Sequence, residues 1–350
     1  MNDETRKVFW DTLCSLKGTN LKEDTDLLHK TIIYPKYVYR FRTVNERTLN
    51  ALRENKLYFS TSNYYDDPFD TFININISKI QDVLDNATQI QYADQIVSCM
   101  DYMLSEWLGI QINDEQRERL IETLNKNLEN PNFKIGIKEY WRNIRNEIKK
   151  DTWSVCFSED GLNESLWLKY ANQHKGFVVS YDLENEENLR CGKQVKCVNC
   201  GMNMAGTSLY PIYYSDEKYD ATQFAYFLSI CKMAGNNLNE ELFKNITTDM
   251  GNQMWEREKI TLIKKTCHRY DKEWRMIAPP IYKEGPVMRE WIPDAVILGL
   301  SMTKSDEAQV IGTAYQAGIK KIYKCYINDE GNLDASLIPL FDSLGAECIR

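Results

Sequence analysis

Three predicted strands each carry a pair of polar side chains on one face, and these pairs are the residues best suited to chemistry. They are Arg40 with Arg42, Ser60 with Ser62, and Glu273 with Arg275. Arginine binds phosphate through its planar guanidinium group. A carboxylate can stabilise the oxocarbenium-like centre that forms during glycosidic cleavage. If the three faces converge, the resulting cleft suits breaking an N-glycosidic bond in a dinucleotide such as NAD.

The same alternation also fits a half-exposed antiparallel sheet. In such a sheet polar side chains alternate with buried ones, because successive side chains point to opposite faces. Arg40 and Arg42 would then be solvated or paired with surface carboxylates. The periodicity alone does not separate this interpretation from a binding cleft.

Composition and motif content exclude several classes of protein. The chain has 350 residues, is 43% hydrophobic and 27% charged, and carries a net charge of −8, which argues against general coating of nucleic acid. It contains three histidines and no H-E-x-x-H, G-x-S-x-G, P-loop or G-x-G-x-x-G string. An acidic start and the lack of a long apolar run predict a cytoplasmic protein without membrane contact, whose ten cysteines are reduced.

The elements that must position these residues follow from hydrophobic periodicity and capping residues. Strands are predicted at 37–42, 57–62, 153–157, 177–181, 210–214, 273–277, 295–300 and 319–327. Asn45, Asn163 and Ser305 are predicted to begin helices, and Gly176 to follow the end of one. The predicted fold is a single α+β domain over residues 1–350, with a mixed or antiparallel sheet, flanking helices and a helical insertion at residues 79–150.

Several strings resemble the bacterial domain-of-unknown-function family twenty-nine seventy-one. They are Tyr39-Arg40-Phe41-Arg42, the run from Leu57 to Asp70, Cys156-Phe157-Ser158, the run from Leu166 to Gly176, and Lys272-Glu273-Trp274-Arg275. Together they span the chain from about Tyr37 to Ile327. The family usually has Asn where this chain has Asp66, a change that keeps the turn-capping role.

The opening layout of this family is similar to that of ADP-ribosyltransferases. That resemblance implies an NAD-using enzyme, of the kind found among toxins and phage-defence effectors, with a protein or RNA acceptor. Glu273 would be the catalytic carboxylate, and Arg40 or Arg42 would hold the diphosphate. The remaining residues expected around the bound dinucleotide are Ser60, Thr61, Ser62, Tyr58, Trp167, Tyr170 and Arg275. The motif Glu273-Trp274-Arg275 lacks the second glutamate of a Glu-x-Glu pair.

Other interpretations remain open at this point. The same cleft could belong to a non-enzymatic nucleotide or nucleic-acid sensor. Asp66, Asp67 and Asp70 could bind a divalent cation as in a nuclease, although turn capping also explains them. A zinc site could combine Cys191, Cys197 and Cys200 with Cys267 or His268, but a single C-x-x-C is a weak signal. A basic helical stripe formed by Lys138, Arg142, Arg145 and Lys149 could contact RNA or an acidic partner.

Overall fold

The structure, a computed structural model, describes most of the sheet and the helices that pack on it. The described residues are 1–16, 21–76, 78, 97, 101, 111–129, 139, 141, 143–150, 152–184, 209–222, 224–225, 255–278 and 288–339. Within these ranges no helix combines the length and the apolar character that a membrane span requires.

Helices and strands alternate irregularly along the chain. The helices are α1 (Asp3–Ser15), α2 (Leu21–Thr31), α3 (Glu46–Arg53), α4 (Asp114–Glu129), α5 (Glu164–Tyr170), α6 (Glu256–Thr261) and α7 (Lys304–Gln316). Residues 143–150 are also helical. Two 3₁₀ helices occupy Ser62–Tyr64 and Thr266–Asp271.

The strands form one large sheet and two small ones. They are β1 (Tyr37–Arg42), β2 (Lys56–Tyr58), β3 (Ser60–Thr61), β4 (Trp153–Ser158), β5 (Phe177–Asp182), β6 (Leu209–Pro211), β7 (Tyr213–Tyr214), β8 (Ile263–Lys264), β9 (Glu273–Ile277), β10 (Met288–Glu290), β11 (Ala295–Leu298), β12 (Lys321–Ile327) and β13 (Leu333–Leu337). The nine-stranded sheet has the order β13-β12-β11-β5-β1-β4-β9-β6, and β3 also pairs with β4. It is mixed, because β11 and β12 are parallel while the other pairs are antiparallel. The fold is therefore α+β with a mixed sheet, as the sequence predicts.

Two hydrophobic layers cover the sheet, one on each face. On the face that we call the helix face, Val38, Val179 and Trp274 belong to a core that also includes residues of α1, α2, α3 and α7. On the opposite face, which we call the α5 face, Phe41 packs edge-on against Trp167 of α5 at 5.5 Å. The functional side chains are divided between these two faces.

Capping residues explain where the helices next to the site begin. Asn45 caps the start of α3, as expected from the sequence, and Thr48 completes a reciprocal capping box. Asn163 accepts a hydrogen bond from the backbone N–H of Leu166 at the start of α5, also as expected. The predicted cap of α7 was wrong by two residues: Thr303, not Ser305, accepts from the backbone N–H of Asp306.

Two other local predictions need correction. The predicted strand at 57–62 is two short strands with different partners, because β2 pairs with β10 and β3 pairs with β4. Gly176 is required by close packing rather than by a helix end. A Cβ atom there would lie 2.1 Å from the carbonyl oxygen of Arg42, and the left-handed conformation is taken instead by residues 172–174.

The predicted insertion at 79–150 is only partly described. Its described residues include α4 and the helical run 143–150, and the insertion as a whole stays a prediction. Lys138 and Arg142 of the predicted basic stripe lie outside the described residues. Arg145 and Lys149 donate to the carbonyl oxygens of Ile73 and Pro68, at 3.1 and 2.7 Å, which ties this helix to the loop after β3.

Candidate functional site

Strand β1 separates from β4 after a single paired position. Tyr39 lies opposite Ser158, and farther along the same edge of β4 the short strand β3 takes the place of β1, with Ser60 opposite Ser154. We call the resulting gap between β1, β3 and β4 the notch. A break of this kind leaves room for side chains between strands that would otherwise be hydrogen-bonded.

Arg40 and Arg42 are half-buried at the notch. The register with β5 places both on the helix face, opposite Val179 and Phe177. Nη2 of Arg40 donates to the carbonyl oxygen of Tyr58 at 3.1 Å, whereas its Nη1 is buried and has no hydrogen-bond partner among the described residues. Throughout the described ranges the Arg42 side chain makes no hydrogen bond or ion pair.

The electrostatics of these two arginines show a charge that is not compensated. Burial lowers the pKa of both guanidinium groups, and repulsion by Arg40 lowers the pKa of Arg42 further. Arg47 at the start of α3 adds positive charge near both. The groups with the largest influence on these two pKa values include no carboxylate of the described residues. Because arginine stays protonated in proteins, the notch holds half-buried positive charge that no carboxylate of the described residues pairs with.

Tyr181 and Trp291 add hydrogen-bond donors on the same side of the sheet. Tyr181 is buried, which raises its pKa, while the charges of Arg40 and Arg42 act in the opposite direction. The ring of Tyr181 lies 4.8 Å from that of Trp291, whose Nε1 is buried and finds no hydrogen-bond partner in the part of the chain that the structure describes. Two of the buried unpaired groups in the described part of the chain, Arg40 Nη1 and Trp291 Nε1, are therefore donors, and the unpaired hydroxyl of Ser62 can donate or accept.

Glu273 and Arg275 belong to a different, fully paired cluster. Arg275 donates to Glu273 Oε1 at 2.6 Å and to both oxygens of Asp70 at 2.7 and 2.5 Å. Nζ of Lys264 lies 2.7 Å from Glu273 Oε2 and 3.3 Å from Asp70 Oδ2. We call Asp70, Lys264, Glu273 and Arg275 the ion network. Its two cations and two carboxylates balance each other.

The network keeps both carboxylates ionised. Burial alone would raise the pKa of Asp70 and of Glu273, but the charges of Arg275 and Lys264 outweigh burial and hold both below their usual values. Arg275 is fully buried and Glu273 is nearly so. Removing one partner would leave an unpaired buried charge, which costs several kcal/mol.

The strand register divides the predicted polar residues between the two faces of the sheet. Glu273 lies opposite Ser158 and Arg275 opposite Cys156, which puts both on the α5 face. Ser60 shares that face through its pairing with Ser154, about 16 Å from Glu273 by standard strand spacings. Arg40 and Arg42 lie on the helix face, so the three pairs do not line one shared face.

Tyr65 and Cys156 connect the notch with the ion network. The guanidinium of Arg275 lies 5.3 Å from the Tyr65 ring, whose hydroxyl is hydrogen-bonded to Ser154 Oγ and accepts from Cys156 Sγ at 3.7 Å. Tyr65 and Cys156 are both close enough to Arg40 to act on its pKa. Burial raises the pKa of the Cys156 thiol to about 12, so it is not a nucleophile at neutral pH.

The other predicted ligand-binding residues occupy several environments. Trp167 is fully buried, and its Nε1 donates to the carbonyl oxygen of Gly161 at 3.0 Å, so it is a core residue rather than a free stacking surface. Tyr170 is partly exposed, and burial raises its pKa to about 12, with Lys264 and Glu273 close enough to act on it. Tyr58 is half-buried, whereas Thr61 and Ser62 are buried.

The described residues offer little support for a metal centre. They contain no group of three or more His, Cys, Asp or Glu side chains placed to bind a metal ion. Asp70 is already engaged by Arg275 and Lys264, and Asp67 lies 3.2 Å from His268. Cys191, Cys197 and Cys200 lie outside the described residues, and Cys267 is exposed.

Three important residues had no recognisable signal in the sequence. Lys264 lies in a two-residue strand, too short to show alternation. Tyr181 ends an apolar run that predicts only a buried strand. Tyr65 belongs to a turn sequence, and its contact with Arg275 depends on residues about two hundred positions apart. Sequence periodicity carries no information about such contacts.

Comparison with known families confirms part of the resemblance. Residues 166–276 match the model of a family described as "Protein of unknown function (DUF2971)". This match begins within α5, includes β5 and ends within β9. Comparison with curated proteins and with solved structures finds no match. The likeness to ADP-ribosyltransferases therefore stays a prediction.

Proposed function

We propose that this protein binds a phosphate-bearing nucleotide at the notch, through Arg40 and Arg42. The observation that carries the proposal is the pair of half-buried arginines without any described carboxylate partner. An unpaired buried ion costs several kcal/mol in a folded protein. A ligand that supplies the missing negative charge recovers this free energy on binding. Phosphate matches the planar donor array of a guanidinium group.

The contrast with the ion network supports a binding role for the notch. At the network each cation has a carboxylate within about 3.3 Å. At the notch, neither arginine has one in the described part of the chain. The same fold thus balances charge in one place and leaves it unbalanced in another, which is typical of a functional rather than a structural position.

Titration calorimetry with NAD, ADP and inorganic pyrophosphate tests this proposal. We expect binding by the wild type and its loss in Arg42→Met, which keeps the apolar stem but removes the charge. Arg53→Met is a matched control, because Arg53 lies on neighbouring α3 and donates to Gln316 at 2.9 Å. Absence of binding to all three compounds, or equal binding by Arg42→Met, would contradict the proposal.

Cleavage of NAD is a second candidate function, and the ionised state of Glu273 favours it. A carboxylate must be charged to stabilise a ribosyl cation, and Arg275 and Lys264 keep Glu273 charged. Tyr170 is partly exposed and lies close enough to Glu273 for the two groups to interact, so its ring could contact a dinucleotide bound there. Both Glu273 oxygens already accept hydrogen bonds, so catalysis would require Lys264 to move away.

Nicotinamide release separates the two functions. We would compare wild type with Glu273→Gln, using cell lysate as a source of acceptors and thermal unfolding to verify that the variant is folded. Release that disappears in a folded Glu273→Gln protein supports catalysis. Binding of NAD without release supports a nucleotide-binding module with no glycosidic chemistry.

A further inference from the structure

Strand β13 lies at one end of the nine-stranded sheet, so its outer edge faces away from the other strands of that sheet. Its inner edge pairs with β12, and directly after β13 the amide of Ile338 donates to the carbonyl oxygen of Ile322 at 2.8 Å. The backbone groups of successive residues in a strand point to alternate sides. Even-numbered residues here therefore direct their N–H and C=O groups towards β12, and the groups that point outwards belong to Leu333, Ala335 and Leu337.

The outward groups have no partner on another strand in the described ranges. The amide of Ala335 donates to Oδ1 of the adjacent Asp334 at 2.7 Å, and Leu333 and Leu337 make no outward hydrogen bond there. An open edge of this kind is a template for pairing, which natural proteins usually block with charged side chains or proline. The one charged side chain of β13, Asp334, is already engaged by the hydroxyl of Tyr326 at 3.0 Å. Strand β13 therefore presents an edge that can accept another strand.

Exposed apolar side chains continue from this edge across the α5 face of β12 and β13. Ile327 lies opposite Leu333, and Tyr323 lies opposite Leu337. These residues share the face of Cys325, which belongs to the hydrophobic cluster around α5. Ile327 is nevertheless 60% exposed and Leu337 is 55% exposed. A contiguous apolar surface beside an open strand edge indicates a site of protein interaction.

The order of residues in β13 fits a second copy of the same strand. The sequence Leu333-Asp334-Ala335-Ser336-Leu337 is nearly symmetrical about its centre. Two antiparallel copies centred on Ala335 place Leu333 opposite Leu337 and Asp334 opposite Ser336. All the outward residues then form pairs that exchange two hydrogen bonds each. The next register towards the start of the strand loses one such pair and sets Asp334 against its own copy, which repulsion between like charges disfavours.

We propose that β13 pairs with β13 of a second copy of this chain, which joins the two large sheets into one across a two-fold axis. Ile327 and Leu333 then continue into Leu337 and Tyr323 of the second copy, with neighbouring strands about 4.8 Å apart. This contact is small for a protein interface, so we expect a dissociation constant on the order of micromolar. The notch lies at β1, four strands away, so the proposal does not depend on nucleotide binding.

Sedimentation velocity of the full-length chain, at concentrations from about 1 to 200 μM, tests the proposal. We expect the mass to rise from 41.0 kDa towards twice that value. Ala335→Pro removes the N–H at the centre of the interface, and the pairing of β13 with β12 does not use that N–H. Because the two-fold axis deletes both central hydrogen bonds at once, the dissociation constant should increase by about tenfold or more.

A second variant tests the side chains rather than the backbone. Leu337→Lys places a charge in the apolar row and should weaken the dimer by a similar factor. Leu168→Lys is a matched control, because Leu168 is 54% exposed on α5 and lies outside β12 and β13. The control should sediment as wild type does. Thermal unfolding of each variant verifies that it is folded.

Hydrogen exchange provides a measurement that needs no variant. In wild type, exchange at the amides of Leu333 and Leu337 should slow as the protein concentration rises, because the dimer supplies their outward partners. Three outcomes would overturn the proposal. The first is a monomer throughout the concentration range. The second is a dimer that both Ala335→Pro and Leu337→Lys leave unchanged. The third is a dimer in which exchange at these two amides does not depend on concentration.

Discussion

Replacing Arg42 by Met should stabilise the ligand-free protein while it abolishes anion binding. Most substitutions of half-buried residues destabilise a fold, so an increase in stability would be a distinctive result. The increase is expected because Arg42 has no described partner to lose, and because burial and repulsion by Arg40 both disfavour its charge. Methionine keeps the hydrophobic contacts of the arginine stem and removes only the guanidinium group.

The expected gain in the free energy of unfolding follows from how deeply the Arg42 side chain is buried. Complete burial of an unpaired ion costs several kcal/mol, and Arg42 is only half-buried, so we expect a gain of about 1–2 kcal/mol. Unfolding entropy is about 2.1 cal/mol/K per residue, which for this chain converts the gain into a rise in melting temperature of roughly 1–3 °C.

Differential scanning fluorimetry, with and without pyrophosphate, provides the assay. Without ligand, Arg42→Met should melt above wild type, whereas the control Arg53→Met should change by less than about 0.5 kcal/mol. Saturating pyrophosphate should raise the melting temperature of wild type and of the control, because a ligand stabilises the state that it binds. It should leave Arg42→Met unchanged. A clear decrease in the ligand-free melting temperature of Arg42→Met would show that the arginine is structural and would refute the reasoning.

Three further predictions concern other parts of the fold. Arg275→Met should lower the free energy of unfolding in urea by about 3–5 kcal/mol, because it leaves two buried carboxylates short of a partner. Burial raises the pKa of Glu258 to about 7, above its usual value of 4.5, so stability should fall as pH rises from about 4.5 to 7 and then level off, by on the order of 3 kcal/mol in total. Glu258→Gln should remove that dependence in urea titrations across this pH range, and an unchanged slope would contradict the assignment. Asn163→Ala should cost about 1 kcal/mol in thermal unfolding, because α5 loses its cap.

The sequence predicts the elements of this fold well and their partners poorly. Alternating side chains in Tyr37–Arg42 and Glu273–Ile277 identify two strands, and the bounds agree with the structure. The run after Leu57 was predicted as one strand because alternation continues through Ser60, yet its two halves pair with different neighbours. Hydrogen-bond partners depend on residues that are distant in the chain, and local periodicity does not encode them.

At the candidate site, too, the sequence predicts features within one strand or helix but not the contacts between elements. The sequence determined which side chains share a face within one strand, such as Arg40 with Arg42, because alternation is a local property of extended backbone. It also determined the capping of α3 by Asn45 and the resemblance to the family matched at residues 166–276. These features need only neighbouring residues or a comparison of sequences.

Only the tertiary structure decided which strands lie side by side, and therefore which charges compensate each other. Strand β4 lies between β1 and β9, and its register directs Glu273 and Arg275 to the face opposite Arg40 and Arg42. Asp70 and Lys264 then neutralise Arg275 and Glu273, while the arginines at the notch receive no carboxylate among the described residues. Coulombic energy depends on distances in space, and these are set by strand order and register rather than by spacing along the chain.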